Sequence, residues 1–459
     1  MKILVSISVA IVGSASAWST LTMNARTTTI SELPSITTPT QGSIRQFSLT
    51  HNDVTVKLSS LGASITSILL PNYSEPSSQS FDDIVLSYKS PEEQYRHDNT
   101  QFFSAIVGRV ANRIKDGRFQ LRQNELSEDV TTYNLDRNDG NVNHLHGGYL
   151  GFSHRVWDAE MEQNQVKFTL ISEDGDQGYP GGIKVTAIYS LVANNDDDVG
   201  AKLKLQMHGC LQEGETKATP IAFAQHSYFN LASHSSPERI LNHVLHMPYC
   251  DKFTPLDNTS IPTKKVQSVT SVRVMDFTQP KQISDALVEY GMKMVGLAPE
   301  TASGNIKQIV DEGSTEKTFN VPKGGGAVGS NLDGDKPYGF DHNYVIGGSY
   351  DNNDSKLRLA AIISHPSTMR SMSIHTTAPG VQLYTSNYLS GGNPPPHMCK
   401  DNATYSQWQG ICLETQTFPD SVCPVPPRAE DEFGRGRCFI LQPGGDDYFH
   451  EVHYVFGKV

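Results

Sequence analysis

The sequence predicts an all-β protein built as one large antiparallel β-sandwich. Three observations lead to this prediction: short segments in which apolar and polar residues alternate, turn-forming Gly, Pro, Asn and Asp at the ends of those segments, and little sustained helical periodicity. Alternation with a period of two indicates strands that turn one face to the core and the other to solvent. Because no internal repeat and no linker divides the body of the chain, we expect a single core.

The clearest alternating segments lie in the first half of the chain: Val54–Leu58, Val166–Leu170, Val185–Tyr189 and Leu203–Met207. The polar run Asn194–Asp198 separates the last two of these segments and predicts a solvated hairpin tip. The pattern therefore favours antiparallel strands joined by short turns.

One helix is expected at 283–297, where Ile283, Leu287, Tyr290 and Met294 recur about one turn apart. The following stretch, up to Pro337, contains three consecutive glycines and few large apolar residues. We interpret this stretch as an excursion over the surface.

The first 17 residues have the composition of a secretory signal peptide. Lys2 supplies a positive charge, an apolar run covers residues 3–12, and Ala15–Ala17 is a small-residue cleavage pattern. The apolar run is too short to span a bilayer. We expect a mature protein that starts near Trp18, with residues 18–44 forming a disordered Ser/Thr-rich leader. The predicted location is secreted or secretory, and a plastid reached through a bipartite leader is the alternative.

Sequons and cysteines are compatible with the secretory route. Glycosylation sequons begin at Asn72, Asn258, Asn353 and Asn402. The six cysteines, which can pair as disulfides or remain buried thiols, are Cys210, Cys250, Cys399, Cys412, Cys423 and Cys438.

Charge and motif content exclude several function classes. Lys and Arg number 37 against 49 Asp and Glu, which gives a formal net charge of −12. So acidic a chain without a basic cluster is a poor nucleic-acid binder. The glycine-rich loops lack the spacing of nucleotide-binding motifs, and no serine lies in a nucleophile elbow. We expect a small-molecule ligand, no membrane partner and a monomer.

Polar and aromatic residues cluster where strands are expected to end, which is typical of a concave sugar site. The clusters are Gly108–Arg113, His144–Gly148, Gly175–Gly181, Gln225–Leu231, Gly339–Asn343, Pro379–Thr385 and Cys412–Gln416. His144 and His146 could be two zinc ligands, but a third ligand at metal-site spacing is missing nearby. The sequence therefore predicts neither a metal nor an organic cofactor.

In their order and their residues these motifs resemble those of the aldose 1-epimerase (galactose mutarotase) family from about residue 45 to the C-terminus. The resemblance is carried by eight motifs in sequence order: Gly108–Ile114, Leu145–Gly148, Gly178–Gly181, His226–Leu231, Ile261–Thr263, Phe340–Tyr344, Pro379–Thr385 and Leu413–Gln416. It implies a β-supersandwich of the galactose mutarotase type as a single domain over residues 45–459. It also implies an isomerase that interconverts the α and β anomers of free aldohexoses.

The resemblance implies a role for individual residues as well. His226 matches the general acid and Glu414 the general base. Residues that match positions holding the sugar hydroxyls are Asn112, Arg113, His146, Asp341 and Gln382, and Tyr228 is expected beside the site because it is close to His226 in sequence. One departure is Gln225, because the family usually has Asn immediately before the catalytic His. The other is an insertion at about 281–337, a segment longer than the family norm that could be a surface insertion, a partner site or a lid.

Three other functions remain open at this stage. A hexose-6-phosphate 1-epimerase would need additional cations around the site, and only Arg113 is well placed. A catalytically silent carbohydrate-binding protein would keep the pocket but not the proton transfer. A polysaccharide-active enzyme would need two carboxylates across a glycosidic bond, for which Asp341 and Glu414 are the candidates.

Overall fold

The computed structural model describes residues 28–75, 80–123, 129–194, 200–294, 339–347, 357–422 and 432–459. The signal peptide, the Asn353 sequon and most of the predicted insertion lie outside these residues. Of the predicted hairpin tip, residues 195–198 also lie outside them.

Strands dominate the described part of the chain. The first fourteen are β1 (Thr29–Thr38), β2 (Gly42–His51), β3 (Val54–Ser59), β4 (Ser64–Pro71), β5 (Phe81–Asp83), β6 (Ile106–Val107), β7 (Arg113–Ile114), β8 (Arg118–Arg122), β9 (Val130–Asn134), β10 (His144–Leu145), β11 (Asp158–Glu162), β12 (Gln165–Ser172), β13 (Ile183–Ala193) and β14 (Ala201–Leu211). The others are β15 (Thr219–Ile221), β16 (Ala224–Gln225), β17 (Tyr228–Phe229), β18 (Val244–His246), β19 (Lys252–Phe253), β20 (Gln267–Ser268), β21 (Lys281–Gln282), β22 (Asp341–Val345), β23 (Arg358–His365), β24 (Arg370–Thr376), β25 (Gly380–Tyr384), β26 (Ile411–Gln416), β27 (Phe439–Leu441) and β28 (Tyr448–Lys458).

Three large sheets share one core. Their strand orders are β1-β2-β3-β4-β5, β11-β12-β13-β14-β28-β24-β23-β18-β21 and β17-β26-β25-β22-β19-β20. The largest cluster of buried apolar residues draws on all three sheets, for example through Phe47, Val185 and Leu383. The prediction of an all-β, antiparallel sandwich is confirmed.

The alternating segments become strands for the expected reason. In β13, the residues Ile183, Val185, Ala187, Tyr189 and Leu191 are all buried, and the residues between them are at least partly exposed. β13 pairs with β14 in continuous antiparallel register from Ile183↔Leu211 to Ala193↔Ala201. One pleated face therefore packs on the core along the whole hairpin.

In the described residues two α-helices accompany the sheets, α1 (Pro91–Arg96) and α2 (Ile283–Met294). The predicted helix is α2, whose Ile283, Leu287 and Tyr290 are buried. The predicted insertion at 281–337 begins within the core, because β21 pairs with β18 and one face of α2 is buried. Neither helix in the described ranges is long and apolar enough to cross a membrane.

The prediction that the leader is disordered was wrong from residue 29 onwards. Thr29–Thr38 forms the edge strand β1, which pairs with β2, and Ile30 packs against the main core. A double hydrogen bond from Arg45 to Glu32, at 2.7 and 2.8 Å, ties the two strands together. Threonine favours strands, and polar side chains suit an edge that faces water. A segment rich in Ser and Thr is therefore compatible with either an exposed edge strand or a disordered leader.

Cys399 and Cys412 form no disulfide in the part of the chain that the structure describes. These two residues, with Cys210 and Cys250, are free thiols, and Cys423 lies outside the described residues. Three of the four, Cys250, Cys399 and Cys412, are buried.

Candidate active site

A cavity of about 460 Å³ opens beside β26 and receives most of the predicted site residues. Seven of the eight line it: Asn112, Arg113, His146, His226, Tyr228, Asp341 and Glu414. The volume is within the range of small-molecule sites. Residues that are far apart in the chain therefore meet in one place.

Short strand pairs bring the first part of the site together. β7 pairs with β10, so that Arg113 lies opposite Leu145 and next to His146. After His146 the chain turns sharply through Gly147, whose φ is +84°. A Cβ at Gly147 would lie 1.8 Å from the carbonyl oxygen of Gly108, so only glycine fits there. This close approach fixes the loop that carries His146.

His226 lies between β16 and β17, and the side chain of Gln225 holds the backbone around it with two hydrogen bonds. The Gln225 amide donates from Nε2 to the carbonyl of Ser104 at 2.5 Å and accepts at Oε1 from the Ser227 backbone N–H at 2.8 Å. Gln225, the departure from the family pattern, thus holds the backbone around His226. Its side chain does not contact the imidazole through these bonds.

Glu414 occupies the middle of β26, which is buried throughout. Its Oε1 lies 3.5 Å from Nε2 of His226, and the two side chains are only 2% and 6% exposed. Within the described part of the chain, Oε2 of Glu414 has no hydrogen-bond partner. A buried carboxyl oxygen is thus left available to a ligand that donates a hydrogen bond.

Burial moves both pKa values of this pair towards the neutral forms. It lowers the pKa of His226 to about 4. It raises the pKa of Glu414 well above its ordinary value, an effect that the nearby Asp341 increases and Arg113 opposes. In this low-dielectric site the pair is stabilised as neutral imidazole and neutral carboxylic acid. Perturbed pairs of this kind in a cavity are typical of acid and base catalysis.

His146, His226 and Glu414 also place their potential ligand atoms within 4.8 Å of one another. The tautomer of His146 argues against a metal there. Its Nδ1 accepts the backbone N–H of Asn112 at 3.2 Å, and burial lowers its pKa, so the neutral ring carries its proton on Nε2. With one nitrogen engaged and the other protonated, this imidazole offers no lone pair to a metal and can donate a hydrogen bond to a ligand oxygen.

Arg113 is held between two aspartates. Its Nε donates to Asp139 Oδ2 at 2.8 Å, and its Nη1 lies 3.8 Å from Asp341 Oδ2. Burial lowers the pKa of the guanidinium, but Asp341 and Asp139 outweigh it and raise that pKa above its ordinary value. The guanidinium is thus fully charged and fixed in orientation.

Gln382 does not line the cavity, unlike the other predicted residues. It is paired with Glu414 across β25 and β26, and its Nε2 donates to Asp341 Oδ1 at 2.7 Å. Because this bond holds Asp341, the geometry favours a supporting place for Gln382 behind the ligand-facing carboxylate. His144, which the sequence analysis considered with His146 as a zinc ligand, is bound through Nδ1 to the carbonyl of Asp136 at 2.7 Å.

Several lining residues were not predicted from the sequence. The ring of Phe102 lies 4.7 Å from that of His146 and 6.0 Å from that of His226. Tyr384 and Tyr388 form an aromatic wall, with ring centroids 6.3 Å apart, and Tyr388 is 44% exposed. Asp139 lies in an irregular loop. The sequence around Phe102, Asp139 and Tyr388 gives no signal that these residues lie near the site. Tyr384, in contrast, belongs to a cluster that the sequence did single out.

The arrangement can move two protons on a polyhydroxylated ligand. One acid and one base lie side by side in the cavity, with Arg113 and the Nε2–H of His146 as further donors. Aromatic rings of the kind contributed by Phe102 and Tyr388 cover the apolar faces of sugar rings.

The family model described as aldose 1-epimerase matches residues 45–434. Among curated proteins, galactose mutarotase from Bos taurus is 30% identical over 417 residues, which cover 90% of this chain and 94% of the relative. The mouse galactose mutarotase is 30% identical over 430 residues and covers 94% and 97% of the two chains. Aldose 1-epimerase from Escherichia coli is 29% identical, with 87% and 91% covered.

Solved structures show the same fold. An aldose epimerase homologue from C. elegans has a TM-score of 0.62 at 22% identity and covers 88% of this chain and 96% of its own. Galactose 1-epimerase from Lactobacillus acidophilus has a TM-score of 0.61 at 22% identity, with 95% and 99% covered.

Proposed function

The chain belongs to the aldose 1-epimerase family, an isomerase family, and from this premise we propose how its cavity works on free aldohexoses such as glucose and galactose. In the proposal Glu414 is the general base and His226 the general acid for opening and closing the sugar ring. The observation that supports it most is the 3.5 Å approach of the two groups inside the cavity.

Ring opening requires two proton transfers. The Glu414 carboxylate takes the proton of the C1 hydroxyl, the C1–O5 bond breaks with its electron pair going to O5, and protonated His226 gives its proton to O5. The product is an open-chain aldehyde with Glu414 protonated and His226 neutral. Rotation about C1–C2 and the reverse transfers close the ring on the other face. Each positioned proton transfer typically contributes about 10²–10⁴-fold.

The proton count of the pair is compatible with this cycle. The ion pair and the neutral pair contain the same number of protons and differ only in where one proton lies. Burial favours the neutral pair, which is also the state left when the ring has opened. The site therefore stabilises the charge distribution reached after proton transfer, while hydroxyls of the cyclic sugar solvate the ion pair before it.

The charges around the cavity support uncharged sugars rather than sugar phosphates. Arg113 is the one lysine or arginine among the described residues that line the cavity, and two aspartates already engage it. With Glu414, three carboxylate side chains line the same space. A phosphate dianion would meet more negative than positive charge, with no free cation to compensate.

The direct test is polarimetry of the purified mature protein on freshly dissolved α-D-glucose and α-D-galactose, with glucose 6-phosphate as the charged comparison. We expect faster mutarotation of the two neutral sugars and little acceleration for the phosphate. Sugar binding by calorimetry without any acceleration would instead indicate a silent binding protein. A preference for the phosphate would favour a hexose-6-phosphate epimerase.

We also propose that the chain enters the secretory pathway and carries N-linked glycans. Residues 1–17 supply the signal pattern, and the sequon asparagine Asn402 is exposed and does not line the cavity. N-terminal sequencing and glycosidase treatment of the protein from its native cells test this proposal. A start near Trp18 with a glycosidase-sensitive mass is expected, whereas import into plastids or an intact Met1 would contradict it.

We further propose that the protein is a monomer. Light scattering of the purified protein tests this directly, and a mass of twice the 50.4 kDa chain would contradict it.

A further inference from the structure

The imidazole of His226 has a second neighbour that the proposed proton transfer does not use. The Sγ atom of Cys412 lies 3.7 Å from Nδ1, on the side of the ring away from the Nε2 that faces Glu414. We propose that Cys412 is a positioning residue for the acid: its thiol holds the imidazole against Glu414 and leaves the proton of the imidazolium loosely bound. This inference depends on the proposed role of His226.

The strand itself explains why both partners meet one ring. Cys412 and Glu414 are two residues apart on β26, so their side chains lie on the same face of the sheet. Cys412 is paired across the sheet with Tyr228 on one side and Tyr384 on the other. Because this strand is paired on both sides and fully buried, the distance between thiol and carboxylate is set by the backbone and not by a mobile loop.

The thiol differs chemically from the usual partner of a catalytic imidazole. In many sites the second ring nitrogen donates to a carboxylate or a carbonyl, which stabilises the protonated ring and makes it more basic. A thiol is a weak donor and a weak acceptor, so it orients the ring with little effect on its basicity. An imidazolium with so weak a partner gives its proton more readily to a sugar ring oxygen.

The other groups around His226 do not replace this contact. Glu414 faces the ring at Nε2, the neutral imidazole of His146 lies with ring centroids 5.2 Å apart, and the rings of Phe102, Tyr228 and Tyr384 complete the surroundings. A hydrogen bond with the backbone of His226 itself raises the pKa of the ring, but this bond lies within the residue and is common to every Cys412 variant. Burial raises the pKa of the Cys412 thiol well above its ordinary value, and Glu414 and Asp341 add to this, so the sulfur stays protonated. No negative sulfur therefore competes with Glu414 for the imidazolium.

Cys399 provides a matched control. It belongs to the same buried apolar cluster as Cys412 and is equally inaccessible, but its Sγ contacts the carbonyl of Pro395 at 3.5 Å instead of a histidine. Cys399→Ser and Cys412→Ser therefore make the same chemical change in one core, and only the second alters the partner of the acid.

The test compares Cys412→Ser, Cys412→Ala and Cys399→Ser in the full-length enzyme. A hydroxyl accepts from Nδ1–H better than a thiol, so Cys412→Ser should raise the pKa of His226 by about half a unit to one unit. Activity that requires protonated His226 should then persist to a correspondingly higher pH, with KM changed less than about threefold. Cys412→Ala should lower kcat by about 2–10-fold through loss of orientation. Cys399→Ser should leave the pH profile unchanged.

A second readout does not depend on turnover. NMR titration of isotopically labelled histidine gives the pKa of His226 directly, and the infrared S–H band of Cys412 should shift in His226→Asn but not in His146→Asn. An inactive wild-type protein would refute the proposed function and leave this readout intact. An equal His226 pKa in the wild type and Cys412→Ser, or an equal shift in Cys399→Ser, would overturn the inference and make Cys412 a filler of the core.

Discussion

Two histidine–carboxylate pairs in this molecule have almost the same separation and very different surroundings. His226 and Glu414 approach to 3.5 Å, and His365 and Glu238 approach to 3.4 Å. In both pairs the histidine side chain is nearly inaccessible. Glu414 is only 2% exposed, whereas Glu238 is 46% exposed and also accepts a hydrogen bond from Asn242 at 3.0 Å. Neither member of the second pair lines the cavity.

The difference shows that separation alone does not make an acid–base pair. Glu238 is open to solvent over almost half of its side chain, and it partly opposes the burial that lowers the pKa of His365. Glu414 has no such solvation, and burial raises its pKa strongly. What distinguishes the candidate catalytic pair is the desolvation of both members next to a space that admits a ligand.

The largest expected effect comes from Glu414→Gln. We expect mutarotation to slow by about 10²–10⁴-fold, because the amide cannot take the C1 hydroxyl proton but keeps the volume and most hydrogen bonds. Glu238→Gln should remain within about twofold of wild type. Polarimetry on α-D-galactose with calorimetric sugar binding checks both, and a near-wild-type rate in Glu414→Gln would remove this carboxylate from the mechanism.

The next effect concerns the two histidines. His226→Asn should lower kcat by about 10²-fold or more because O5 loses its proton donor. His365→Asn should keep kcat and lower the Tm, since it disturbs only a buried structural pair. Equal loss of kcat in the two variants, measured on protein of verified fold, would mean that their surroundings do not distinguish them.

A smaller effect is a displaced pH profile. Base catalysis needs ionised Glu414, so activity rises as the pH rises through the pKa of this group. Asp341 raises that pKa, and Asp341→Asn removes its negative charge, so the rise in kcat/KM should begin at a lower pH. Glu238→Gln should leave the midpoint where it is. A midpoint that moves to higher pH in Asp341→Asn would contradict the electrostatic argument.

The smallest effect is on stability. The folded-state pKa of Glu414 is raised, so its contribution to stability is complete below the unfolded-state pKa and is lost as the pH rises through the folded-state value. Glu414→Gln avoids this loss and should raise the Tm at neutral pH by roughly 1–4 °C, with no gain in acid. Calorimetry at the two pH values checks this difference in Tm. Because Glu238 is 46% exposed, Glu238→Gln should show no such pH-dependent gain.

Much of the fold follows from local patterns. Alternation predicted β12, β13 and β14, and spacing at one helical turn predicted α2, because a pleated strand or a helix turns regular positions to the same side. The Ser/Thr-rich strand β1 was missed because its side chains are mostly exposed and its order comes from pairing with β2.

By itself the sequence determined the strand pattern and the order of the family motifs, because both depend on residues that are neighbours in the chain. Through the family motifs it also identified the two proton-transfer candidates. Only the tertiary structure decided that Glu414 reaches His226 and that Gln382 supports Asp341 from behind. It also decided that Phe102, Asp139 and Tyr388 line the cavity. Those relations depend on which strands pair and how the sheets pack. Desolvation, which sets the pKa values of the pair, exists only once the whole sandwich has excluded water around it.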